Sequence, residues 1–174
     1  MNICTIEALN AEQLAERLYE LAEVLQASVA AGASIGFVEP FSLEDAANWW
    51  RGQLGALQSG AKLQWVALQD GRVIGTAQLQ LDMPANGRHR GEVCKVMVHP
   101  AARRQGAARL LMQAVEAGAR AKARSLLVLD TNTGSPAERL YASLGYITVG
   151  SIPAYASQQD GSLGPTTVMY RELS

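Results

Sequence analysis

Residues 92–130 constrain the fold most. An apolar strand, "GEVCKVMVH", stops at Pro100. Leu111, Ala114, Val115 and Gly118 then fall on one face, which predicts a helix over 104–122. "SLLVLDT" follows as a nearly continuous apolar strand of the kind buried inside a sheet. Strand, long helix, strand implies a right-handed parallel crossover, and hence a mixed sheet with helices packed on it.

The junction inside this unit is chemically odd. Arg103, Arg104 and Gln105 stand at the start of the expected helix, followed by Gly106, Ala107 and Ala108. A helix N-terminus carries partial positive charge, so exposed cations there cost roughly 0.3–1 kcal/mol each. No Ser, Thr, Asp or Asn stands just ahead to cap it. An anion resolves both oddities: it accepts from the free N–H groups, and the arginines then attract it. The small residues let such a ligand approach the backbone.

Charge distribution points the same way. The net charge is −1, yet Arg88 to Arg124 holds nine Lys/Arg against Glu92 and Glu116, a balance of +7. That block has no Phe, Tyr or Trp, which argues against stacking on nucleic-acid bases. Gly-x-x-x-x-Gly-Lys-Ser/Thr and Gly-x-Gly-x-x-Gly are both lacking, which disfavours a nucleoside triphosphate and a dinucleotide. Coenzyme A, with its pyrophosphate and ribose phosphate, can use Arg/Gln-x-x-Gly-x-Gly/Ala, a short pattern that Arg103-x-x-Gly106-x-Ala108 matches.

Elsewhere the signals are local. Leu14, Leu18, Leu21 and Leu25 predict an amphipathic helix over 10–30. Ser42, with Asp45 three residues on, predicts the start of a second helix. "KLQWVALQ", Asp70-Gly71 and "RVIGTAQLQL" form a hairpin signal. A short helix over 135–144 ends at Gly145, and two strands near 146–153 and 166–172 close the chain. The expected order is ααβββαβαββ, an α/β fold in one domain, 1–174, with helices on both faces of the sheet. No apolar run suits a membrane span or a secretory signal, and Cys4 and Cys94 lack metal-ligand spacing. The chain is expected to be cytoplasmic, with reduced thiols and no metal.

"EVCKVMVHPAARRQGAARLLMQAVEAGA", "LLVLDT" and "SPAERLYASLGY" together resemble the GNAT N-acetyltransferase family. In that family a Val-x-Pro strand end, an Arg-x-x-Gly-x-Gly/Ala turn and a later Tyr-x-x-x-Gly-Phe/Tyr occur in this order. The resemblance implies a mostly antiparallel sheet with a central parallel pair. It also implies acetyl-CoA as acyl donor, bound by Val96, Met97 and Val98 along the strand and by Arg103, Arg104, Gln105, Gly106, Ala107 and Ala108 at the turn. Tyr141 maps onto the general acid, against the alternative of a ring packed on the sheet. Glu92 and Asp130 are the candidate bases, or orienters of an acceptor ammonium. Arg104 stands where a small Gly is usual, and Gly134 where Asn is frequent. Further stretches, "GASIGF", "GSPAE" and "LYASLGYITVGSIPAY" among them, resemble toxin-resistance members of the family. They imply a small, amino-acid-like acceptor; another small amine, an antibiotic or a peptide amine is the alternative. A homodimer is common in such enzymes, and a non-catalytic acyl-CoA sensor is the reading from another class. Phe37, Trp49 and Trp50 are candidate walls of the acceptor pocket, with core packing the alternative. Cys94 reads as a small core residue, and His89 and His99 as turn or surface residues.

Overall fold

The computed structural model describes residues 4–173. The strands are β1 (Thr5–Leu9), β2 (Lys62–Gln69), β3 (Arg72–Gln80), β4 (Arg90–Val98), β5 (Leu126–Asn132), β6 (Ile147–Ser157) and β7 (Leu163–Glu172). The helices are α1 (Ala11–Glu16), α2 (Leu18–Ala30), α3 (Leu43–Arg51), α4 (Leu54–Gln58), α5 (Ala107–Ala121) and α6 (Pro136–Ser143).

One seven-stranded sheet runs β1-β2-β3-β4-β5-β7-β6. Among the described residues only β4 and β5 pair parallel, joined through α5. The expected mixed sheet and its crossover are therefore present. β1 is an addition to the expected order, as is the short α4. The 10–30 helix is broken at Arg17, whose guanidinium bonds the Gly71 carbonyl on the β2–β3 turn and Glu20. Ser42 and Asp45 form the expected capping box, and Ser135 caps α6.

Two cores sandwich the sheet. On one face Leu111, Met112 and Val115 of α5 pack on Ala77, Leu79, Val93, Leu127 and Leu129. On the other, Leu21, Leu25 and Trp50 of α2 and α3 cover Val66, Leu68 and Met97. Gly118 lets α5 lie flat on the Trp65 indole, where any Cβ would overlap the ring. The α2–α3 layer packs on residues of β1 to β4, among them Leu9, Val66, Val73 and Met97. Among the described residues no helix is long and apolar enough to cross a membrane.

Candidate functional site

The site begins where β4 and β5 part. They pair at Arg90↔Leu126, Gly91↔Leu127 and Glu92↔Val128, and not beyond. β4 also bulges: Gln78 faces Cys94 and Thr76 faces Met97, so Lys95 and Val96 share Ala77. Lys95 takes φ +52 to make that step. From Val93 to Val98 the β5-facing edge of β4 is thus free of sheet partners. His99 N–H bonds Ile74 O across β3, so alternation turns the Val98 N–H and C=O into the cleft.

At the end of β4 the chain turns through Pro100–Ala102, a 3-10 turn. Arg104 (φ +63) and Gly106 (φ +88) then adopt left-handed backbone, and α5 starts at Ala107. The expected helix start at 104 is corrected by three residues, because left-handed backbone cannot continue a right-handed helix. The arginines therefore stand ahead of the N-terminus rather than within its first turn. Among the described residues no side chain caps α5. A cavity of about 270 Å³ opens there, walled by Val98, Arg103, Arg104, Ala107 and, from α6, Leu140. Arg103 Nε donates to Val98 O at 3.1 Å, folding back under the strand end. Arg104 is exposed with no partner among the described residues. Gln105 instead reaches Gln69 on β2 at 3.4 Å. Arg109 Nη2 donates to Ser143 Oγ at 2.8 Å, tying α5 to α6 across the cleft mouth.

The carboxylates lie on the face opposite α5. Val93, Leu127 and Leu129 point into the α5 core, so alternation turns Glu92, Cys94 and Asp130 the other way. Glu92 and Asp130 are both exposed, and parallel pairing sets Glu92 beside Val128, two residues before Asp130. Among the described residues Glu92 makes no ion pair, with Arg90 and Lys95 as with any other cation. Asp130 accepts from Thr166 Oγ1 at 2.8 Å.

Tyr141 enters from α6, its ring buried and its hydroxyl without a protein partner among the described residues. Burial pushes its phenol well above the ordinary range, and the fields of Asp130 and Cys94 add to that. The group stays protonated at any working pH. Burial also raises the Cys94 thiol, which donates to Gln78 Oε1 at 3.9 Å. It is only half-buried and lies outside both apolar cores, so its reading as a core residue is corrected.

Trp50 is fully buried in the apolar core, the alternative reading for it. Phe37 and Trp49 are half-buried, 5.6 Å apart edge to face, and both flank the Lys95 ammonium. Lys95 was not among the expected site residues. Its Nζ donates to Ile35 O at 2.7 Å, holding the 32–40 loop to the strand. Gln159, at the β6–β7 turn, ties the same loop to α2: its Oε1 accepts from Glu39 N and its Nε2 donates to Val29 O. Only a cation sitting in an otherwise apolar strand signalled Lys95 in the sequence. His99 Nδ1 accepts from Ala101 N in the turn, as a turn residue does. Among the described residues no cluster of His, Cys, Asp or Glu suits a metal ion.

Residues 13–146 match the Acetyltransferase (GNAT) family. The fold is also that of several solved structures. An N-acetyltransferase from Staphylococcus aureus Mu50 superposes with TM-score 0.80 at 18% identity, covering 99% of each chain. A GNAT superfamily phosphinothricin acetyltransferase from Sinorhizobium meliloti, in complex with AcCoA, gives 0.81 at 21% identity, covering 98% of this chain and 89% of that one. A GNAT acetyltransferase from Kribbella flavida gives 0.78 at 24% identity, covering 97% and 98%.

Proposed function

The chain belongs to the GNAT acetyltransferase family, and from that premise we propose an acetyl-CoA-dependent N-acetyltransferase, one domain over 1–174, that acetylates the amine of a small, amino-acid-like acceptor. The observation that carries this reading is the uncapped α5 N-terminus with Arg103 and Arg104 before it, opening on the same cleft as the unpaired β4 edge. Helix N–H groups and arginines suit a pyrophosphate; a free strand edge suits the amide-bearing pantetheine arm.

Val96, Met97 and Val98 line the arm, and Arg103 through Ala108 hold the phosphates. The acceptor nitrogen attacks the thioester carbonyl, forming C–N as C–S breaks. The Val98 N–H, turned into the cleft, stabilises the oxyanion. Tyr141, kept protonated by burial, gives its proton to the departing thiolate. Asp130 or Glu92 takes the amine proton, directly or through water. Burial raises the Cys94 thiol, and its hydrogen bond goes to the neutral Gln78 amide and not to a base, which favours direct transfer over an acyl-Cys94.

For the acceptor, "GASIGF", "EVCKVMVHPAAR", "LDT" with "GSPAE", and "LYASLGYITVGSIPAY" resemble the tabtoxin resistance acetyltransferase, which suggests tabtoxinine-β-lactam and a resistance role. Cys4 and Cys94, both free, suit the reducing cytoplasm. Edge strand β6 exposes Ile147, Val149, Ile152 and Tyr155, which supports a homodimer, read by sedimentation velocity.

The test is thiol release from acetyl-CoA by purified protein across amines including tabtoxinine-β-lactam and phosphinothricin. Release with tabtoxinine-β-lactam alone supports the whole reading. Release with other amines keeps the enzyme and overturns the named acceptor. No release from any amine overturns the activity.

A further inference from the structure

Lys95 is a cation that the acetyl-transfer steps do not use. Its position at the β4 bulge, with φ +52, sends its side chain to the face that carries Glu92 and Cys94. There the ammonium sits 5.2 Å from the Phe37 ring centroid and 5.3 Å from that of Trp49. Gly36, at φ +92, brings the loop close: a Cβ on it would stand 3.4 Å from Nζ.

An ammonium has three N–H donors, and the protein takes one, at Ile35 O. No carboxylate pairs with it among the described residues. Burial lowers its affinity for the proton, as does Lys62; Cys94, Asp130 and Glu92 act in the other direction. A half-buried charge with unfilled donors is unfavourable until a partner arrives. The same face thus offers two carboxylates for a cationic amine and one ammonium that lacks an anion.

Resting on the acetyltransferase reading, we infer that Lys95 binds an anionic oxygen group, carboxylate or phosphinate, carried by the acceptor in addition to its amine. Ile35 O and the two rings hold the ammonium in place, and the acceptor's anion fills its remaining donors. The site then selects amino acids and their analogues over plain amines and polyamines, whose further cations Lys95 and Lys62 repel.

The experiment compares L-amino acids with their own decarboxylated amines (methionine with 3-methylthiopropylamine, lysine with cadaverine), and adds phosphinothricin, which carries both kinds of anion. Thiol release is measured at saturating acetyl-CoA for the wild type, Lys95→Met and Lys95→Arg, with each variant's melting curve as a check on folding. The wild type is expected to favour the anionic member of a pair by about tenfold or more in kcat/KM. Lys95→Met removes that preference, raising KM for the anionic member far more than for its amine, and Lys95→Arg keeps most of it. A phosphinothricin-only response identifies the anion as phosphinate.

Three results overturn the inference: amines used as well as their parent amino acids, equal losses on both members in Lys95→Met (the signature of a loop staple), or release confined to amines that carry no anion. The last leaves the acetyltransferase reading intact. Failure of every amine to release thiol defeats that reading and this one with it.

Discussion

Thr166 on β7 holds Asp130 on β5: its Oγ1 donates to Asp130 Oδ2 at 2.8 Å and lies 2.9 Å from Thr131 O. Thr166 is buried while Asp130 is exposed, so the strand interior fixes one carboxylate oxygen and leaves the other for the cleft. Thr166→Val keeps the shape and removes the donor. A lost hydrogen bond to a charged group is worth about 1.5–3 kcal/mol at most, and solvent replaces part of it here. We expect kcat/KM to fall roughly 3–10-fold, against roughly 10²-fold or more for Asp130→Asn if Asp130 is the base. Initial rates of thiol release check both. Equal, negligible effects would remove Asp130 from the reaction and leave Glu92.

Tyr141→Phe removes a proton donor and leaves the buried ring. Turnover is expected to fall by about 10²-fold or more, with KM for acetyl-CoA little changed. The sign of the pH effect follows from the environment. Burial and the Asp130 field raise the phenol above its ordinary value near 10, so it remains protonated through that pH. The wild-type rate profile should therefore show no alkaline loss from Tyr141 up to about pH 10. A descending limb centred below 10 that disappears in Tyr141→Phe would contradict the raised phenol.

Local chemistry was legible in the sequence, and long-range chemistry was not. The Asp70-Gly71 hairpin, the Ser42–Asp45 capping box and the α5 stripe are each encoded within a few neighbouring residues. β1 is five residues long and is defined by its pairing with β2, Leu9 opposite Gln64. Nothing within "TIEAL" specifies that partner. Tyr141 is a candidate through its motif, Glu92 and Asp130 through their places on apolar strands, and the parallel register explains why the two carboxylates share a face. The bulge could not be seen, because Lys95 is not a residue that announces left-handed backbone. Its contacts with Ile35 and Phe37 of the 32–40 loop and with Trp49 of α3 join segments far apart along the chain.

Gly118 tests how α5 is seated behind the cleft. A Cβ there overlaps the Trp65 indole, and both groups lie in a packed interface. Gly→Ala in a free helix gains about 1 kcal/mol, so propensity alone predicts stabilisation. Overpacking opposes it with about 1–3 kcal/mol or more, and the steric term wins here. Gly118→Ala is expected to destabilise by about 1–2 kcal/mol, measured by urea denaturation. Stabilisation would mean that Trp65 moves aside at little cost.

Arg104 sets strain against charge. Left-handed backbone, φ +63, costs a non-glycine residue roughly 1 kcal/mol, and the side chain recovers none of it within the protein. Glycine removes the strain but loosens the unfolded chain, so Arg104→Gly should change the melting temperature by no more than about 3 °C. If the guanidinium meets a phosphate, KM for acetyl-CoA rises several-fold and becomes less sensitive to added salt, since one screened attraction is gone. Arg103→Ala offers the contrast, because Arg103 also tethers Val98 O and its loss disturbs the strand end. Titrating KM for acetyl-CoA between low and high salt in the three proteins separates these effects. An unchanged KM and salt slope in Arg104→Gly would mean that the strained arginine serves some purpose other than the phosphates.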